Sequence, residues 1–125
     1  MHLRVLEGTY ALCRLDGDAP LPAWFALDGP FSAALRRAAE LSLVVAQERV
    51  PQGVVAERGY RALEVAGTLD LALTGVMAGL AGALAEGGVP IMPLATYDTD
   101  VILVPGERLE EAEAALRAAG HTVGP

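Results

Sequence analysis

From residue 61 onward the sequence alternates between two hydrophobic periods, and this alternation restricts the fold more than any other feature. Arg61–Val65 reads as a strand with Leu63 and Val65 on one face. Residues Thr74–Glu86 read as a helix, stopped by Gly87-Gly88 and opened by Thr74 or Asp70 as cap. Pro90–Ala95 and Asp100–Val104 are two further strands around the polar stretch Thr96-Tyr97-Asp98-Thr99. Leu109, Ala112, Leu116 and Ala119 recur at helical spacing, so Glu107–Ala119 is an amphipathic helix ended by Gly120. His121-Thr122-Val123 is a short last strand. The order is therefore strand, helix, strand, strand, helix, strand.

The fold class expected from this order is α+β, with a ferredoxin-like (βαββαβ) C-terminal half: a four-stranded antiparallel sheet carrying both helices on one face. Residues 1–56 carry strand and turn signals instead: Leu3–Leu6, Thr9–Leu15, an extended piece Phe31–Leu35, and Glu40–Gln47, with a strand connection near Arg37-Ala38. The expected division is a helix-poor N-terminal subdomain, 1–56, and a second domain, 57–125. One sheet face of the second domain lacks a helical cover, so the first half or another subunit is expected on it.

Composition narrows the function. The chain is 53% apolar and 20% charged, as expected of a folded domain, yet only 5% aromatic, so its core is small and aliphatic. Such cores gain stability from self-association. With a net charge of -7 and nine scattered basic residues, the chain lacks the basic footprint of a nucleic-acid binder. The apolar run 71–85 is too short and glycine-rich to span a membrane, the N-terminus is not a signal peptide, and a cytoplasmic location follows by default. The single cysteine, Cys13, reads as a buried small hydrophobe.

Candidate chemistry gathers at two places. A helix start near Thr74-Gly75 offers free N–H groups to an anion, or is a plain capped connection. In Thr96-Tyr97-Asp98-Thr99-Asp100 the aspartates either receive an amino group, cap a turn, or form part of a metal site that lacks its remaining ligands. Gly75, Gly79 and Gly82 share a helix face, for tight internal packing or for a partner's approach. Glu48, before Val50-Pro51, is either a binding residue or, the better reading, a solvated turn residue. His2 and His121 belong to no spaced ligand set, and Trp24 reads as a core or interface anchor. No nucleophile elbow, phosphate loop or zinc-protease motif is present. The chain is read as no enzyme, with neither cofactor nor metal; Asp70 and Asp100 as an acid–base pair form the enzymatic alternative.

Leu69-Asp70 through Leu73-Thr74-Gly75-Val76, followed by Ala95-Thr96-Tyr97-Asp98-Thr99-Asp100-Val101-Ile102-Leu103-Val104, resembles the ACT domain, a small-molecule-binding module. Glu40-Leu41-Ser42-Leu43-Val44, Val50-Pro51 and Arg58-Gly59-Tyr60-Arg61 resemble the first half of small bacterial proteins with tandem ACT-like units, related to the cytosolic arginine sensors of animals. The resemblance implies a non-catalytic regulatory module that binds a free amino acid or similar metabolite. It implies a site at Thr74 and Gly75, with Thr96, Tyr97, Thr99 and Asp100 across from it and Ser42 and Leu43 on the opposite side. It also implies a homodimer or higher homo-oligomer and an unidentified regulated protein. The animal sensors carry two copies of the whole unit where this chain has one. A protein-interaction module that has kept the fold without the ligand is the competing expectation.

Overall fold

The computed structural model describes all residues, Met1–Pro125. In chain order the strands and helices are β1 (His2–Val5), β2 (Tyr10–Asp16), β3 (Ala33–Arg37), β4 (Glu40–Ala46), β5 (Ala56–Val65), α1 (Val76–Glu86), β6 (Met92–Ala95), β7 (Asp100–Pro105), α2 (Leu109–Ala118) and β8 (Thr122–Gly124). Single 3₁₀ turns, Gln47–Arg49 and Gly106–Arg108, precede β5 and α2. The chain divides into two compact units, one formed by Met1–Leu6 with Arg61–Pro125, the other by Glu7–Tyr60.

In the first unit the expected strand–helix order is present, with one addition. The strands lie in the order β6-β7-β5-β1-β8. Strand β1 stands between β5 and β8, antiparallel to β5 through Leu3↔Val65 and Val5↔Leu63, and parallel to β8 through Leu3↔Val123. The four-stranded antiparallel sheet expected from residues 61–123 is thus five-stranded and mixed. The reason is in the core: Leu3 has no exposed surface and packs with Leu63 and Val65, whereas Val123 of the last strand is only partly buried against the same cluster. Residues 1–6 therefore group with the C-terminal half, whereas a cut at 56/57 assigns them to the N-terminal one.

Both helices cover one sheet face, as the ferredoxin-like reading requires. Leu80 and Leu84 of α1 and Ala112 and Leu116 of α2 form a single cluster with Leu3, Leu63, Val65, Ile102 and Val104. Burying each leucine contributes roughly 1.5–3 kcal/mol. The alternate residues Ala62, Val101 and Leu103, which point to the other face, are buried as well. The helices approach closely where α1 ends: a Cβ on Gly87 would lie 2.8 Å from the Ala115 Cβ.

The second unit is an antiparallel sheet in the order β3-β4-β2-β5, with no α-helix. β3 and β4 form the hairpin expected near Arg37-Ala38. Ala11, Cys13, Leu41, Leu43, Val45 and Val50 make its core, and Trp24 and Phe25 pack against them. Burial pushes the Cys13 thiol up from its ordinary range. The register slips between Tyr10↔Tyr60 and Leu12↔Glu57, so β5 carries a bulge at Arg58-Gly59, and Gly59 has a positive φ of 83°. This bulge braces the 3₁₀ turn: Gly59 N–H donates to Gln47 Oε1 at 2.9 Å, and the Arg58 guanidinium donates to the carbonyls of Gln47, Val50 and Pro51, each at 3.3 Å. No helix is long and apolar enough to cross a membrane.

Candidate ligand site

A pocket of about 300 Å³ opens in the unit formed by Met1–Leu6 and Arg61–Pro125. Two segments build it: the β5–α1 connection with the first turn of α1, and the β6–β7 hairpin. Gly75, Thr96, Tyr97, Thr99 and Asp100 all line it, so the two candidate stretches, twenty residues apart in sequence, meet in space.

The helix end differs from the sequence expectation. α1 begins at Val76, not at Thr74, and neither Thr74 nor Asp70 caps it. The N-cap is Gly75, at φ 83°, and no side chain bonds to the first turn. Asp70 instead accepts the Ala72 N–H at 2.9 Å, closing a local Asx turn. A β-carbon is unfavourable at Gly75's dihedrals, so glycine alone turns the chain into the helix here without strain. Because the end is uncapped, the N–H groups of Val76, Met77 and Ala78 are left for an outside acceptor, and these residues line the pocket. The first turn carries no acidic side chain to compete for them.

The opposite wall is fixed by backbone and hydroxyl bonds. Thr96 N–H donates to the Thr99 carbonyl at 2.8 Å, and Thr99 N–H donates to Thr96 Oγ at 3.1 Å, so the hairpin tip is a closed turn. Two bonds tie this tip to the β5–α1 connection: Leu69 N–H to the Asp98 carbonyl at 2.7 Å, and the Thr99 hydroxyl to the Val65 carbonyl at 2.8 Å. Asp100 opens β7 opposite Ala95 and is half-buried in the pocket. No ion pair engages Asp98 or Asp100, and no arginine lines the pocket. Tyr97 is 81% exposed, and with Leu71 (69%) and Leu73 (52%) it forms an apolar rim.

The remaining expected residues stand elsewhere. Thr74 is exposed beside the pocket in sequence but does not line it. Ser42 borders a small recess of the Glu7–Tyr60 unit with Arg14 and Glu40, and Leu43 is fully buried in that unit's core. The sequence reading passed over Val76, Met77 and Ala78 as site residues. Their signal is the glycine just before them, because the residues that follow an uncapped start carry the free N–H groups. Gly75, Gly79 and Gly82 have no neighbour within 4 Å of a built Cβ, so tight internal packing does not explain them. No group of three or more His, Cys, Asp or Glu side chains converges as a metal site would require.

A family model described as an ACT domain matches residues 55–118, which include the whole pocket. The chain belongs to the ACT-domain family. A second family model, describing an N-terminal domain, matches residues 8–53, leaving the two matches close to the division between the structural units. Among solved structures, an Agobacterium tumefaciens protein is 31% identical with a TM-score of 0.91, over 98% of this chain and 91% of that one. A Vibrio cholerae protein, described as of unknown function and a possible transport protein, is 26% identical with a TM-score of 0.76, over 94% and 88%. The ligand-free regulatory subunit of aspartate kinase from Thermus thermophilus is 17% identical with a TM-score of 0.64, over 92% and 94%, and shares the ACT fold. No curated relative matches the chain.

Proposed function

We propose that this ACT-domain chain is a non-catalytic, cytoplasmic regulatory module that binds a free amino acid or a closely similar metabolite. One observation carries the reading: a single pocket is lined by both the uncapped start of α1 and the unpaired carboxylate of Asp100. The first suits a ligand carboxylate and the second a ligand ammonium group, and an α-amino acid carries both. Gly75 leaves the approach to the helix start free of side-chain bulk. Family membership supports a regulatory, small-molecule-binding role in general terms. The similarity to an aspartate kinase regulatory subunit agrees with a module that acts on a partner rather than on a substrate. Self-association would couple ligand to assembly if both copies contributed to one site.

Thermal unfolding against each of the twenty amino acids at millimolar concentration tests this. The expected result is a selective rise in midpoint with one or two of them, about 2.7 kcal/mol of stabilisation at a hundredfold excess over Kd. Asp100→Ala should abolish the rise without lowering the ligand-free midpoint. No rise with any amino acid overturns the amino-acid reading.

The rim favours a second reading. Leu71, Leu73 and Tyr97 are large, apolar and exposed together, which suits a protein-interaction module using the same surface. Such a module would show no amino-acid response, and Tyr97→Ala would change its association rather than ligand affinity.

A further inference from the structure

The Glu7–Tyr60 unit holds its own, larger pocket of about 480 Å³. That volume falls within the ~300–1,000 Å³ typical of small-molecule sites. Tyr10 and Phe31 stand edge to face on its wall, with ring centroids 6.3 Å apart and planes at 75°. The Tyr10 hydroxyl donates to the Glu7 carbonyl at 2.7 Å, which fixes the ring in place. Three carboxylates, of Glu7, Asp28 and Glu48, line the same space, and Arg49 is its one cation. The Arg49 guanidinium is engaged by Asp28 Oδ2 at 2.7 Å, while Glu7 and Glu48 enter no ion pair.

These features select a ligand class. Three carboxylates against one guanidinium leave the lining at a formal charge of -2. The acidic groups do not converge on a point, since no metal-competent cluster exists in the chain. They are spread around an aromatic-walled space. A bare ion would not find three of them together, whereas an elongated organic cation can lay its alkyl part on Phe31 and present charge to Glu7 and Glu48. We infer that this pocket is a second binding site, for a small organic cation bearing primary ammonium or guanidinium groups. It shares no residue with the pocket assigned above to an amino acid and stands independently of that reading.

Calorimetric titration of the full chain with putrescine and agmatine tests the inference, with neutral 1,4-butanediol and calcium chloride as comparisons. Saturable binding of at least one amine is expected, with none for the diol and weaker binding for calcium. Glu7→Gln with Glu48→Gln should weaken amine affinity tenfold or more. Both positions are exposed, so the fold should survive the change. Phe31→Leu, which keeps apolar volume and removes the ring, should weaken it several-fold, and Asp100→Ala should leave it unchanged. Absence of amine binding, calcium binding as tight as the amines, or an affinity indifferent to the double glutamate variant overturns the inference.

Discussion

The Thr99 hydroxyl donates to the Val65 carbonyl at 2.8 Å, joining the tip of the β6–β7 hairpin to the end of β5 across 34 residues of chain. With the bond from Leu69 N–H to the Asp98 carbonyl, it holds the two walls of the candidate site together. Thr99 acts on the site's shape through this strut. Thr99→Val removes the donor at nearly constant volume and should cost about 1 kcal/mol. Thr99→Ser, which keeps the hydroxyl, should recover most of it. Urea unfolding midpoints of the two variants measure the difference. A loss in Thr99→Ser with none in Thr99→Val would show that the methyl group, and not the bond, matters.

Glycines in this chain divide by what surrounds them. A Cβ on Gly17 would lie 1.9 Å from the Ala38 carbonyl oxygen, a backbone atom held beside the β3–β4 turn. Gly17→Ala should destabilise by ~1–3 kcal/mol or more, as overpacking against fixed structure does. Gly82, inside α1, has open space around it and no positive φ. Gly82→Ala should stabilise by about 0.5–1 kcal/mol through helix propensity and a less flexible unfolded chain. Thermal midpoints should move in opposite directions for the two substitutions.

Two surface carboxylates contribute to the acid side of the stability profile. The Arg37 guanidinium, 2.6 Å from Glu40, holds that carboxyl below its usual range, and Arg108, also at 2.6 Å, does the same for Glu111. A depressed carboxyl contributes stability above its unfolded pKa, near ~4.3, and loses it as pH falls through the lower folded value. The denaturation midpoint should therefore decline below about pH 4.3. In Glu40→Gln with Glu111→Gln the decline should be shallower, and high salt should flatten it in the parent chain. Urea titrations between pH 2.5 and pH 6 (roughly the window that brackets these groups) test this.

Cys13 is buried in the core of the Glu7–Tyr60 unit, and burial raises its pKa. A raised pKa means stability present below the unfolded thiol's pKa and lost as pH climbs above it, because only the unfolded chain then gains a thiolate. In the folded protein a thiol-labelling reagent should react slowly at neutral pH, and in denaturant promptly. Fast labelling without denaturant would show that the β2–β4 pairing opens readily.

Sequence alone determined the elements whose signals are local. The amphipathic repeat from Leu109 to Leu116 places α2, the Glu40–Ala46 run gives β4, and Gly87-Gly88 ends α1. Together they fix the α+β class. The pairing of the Leu69–Gly75 and Thr96–Asp100 stretches was also legible, through resemblance, because each keeps a recognisable run of residue types. Tertiary structure decided what depends on distant neighbours. A four-residue strand cannot announce its partner, so the insertion of β1 between β5 and β8 follows only from where Leu3 finds a core. A threonine before a glycine suggests a cap, yet the backbone reaches α1 through Gly75's positive φ, which leaves Thr74 outside the pocket and the first-turn N–H groups open. Glu48 reads in sequence as a solvated turn residue, and only the fold brings it to one cavity with Glu7, Tyr10 and Phe31. Local propensity acts over a few residues, whereas burial and charge are shared by side chains that meet only after the chain has folded.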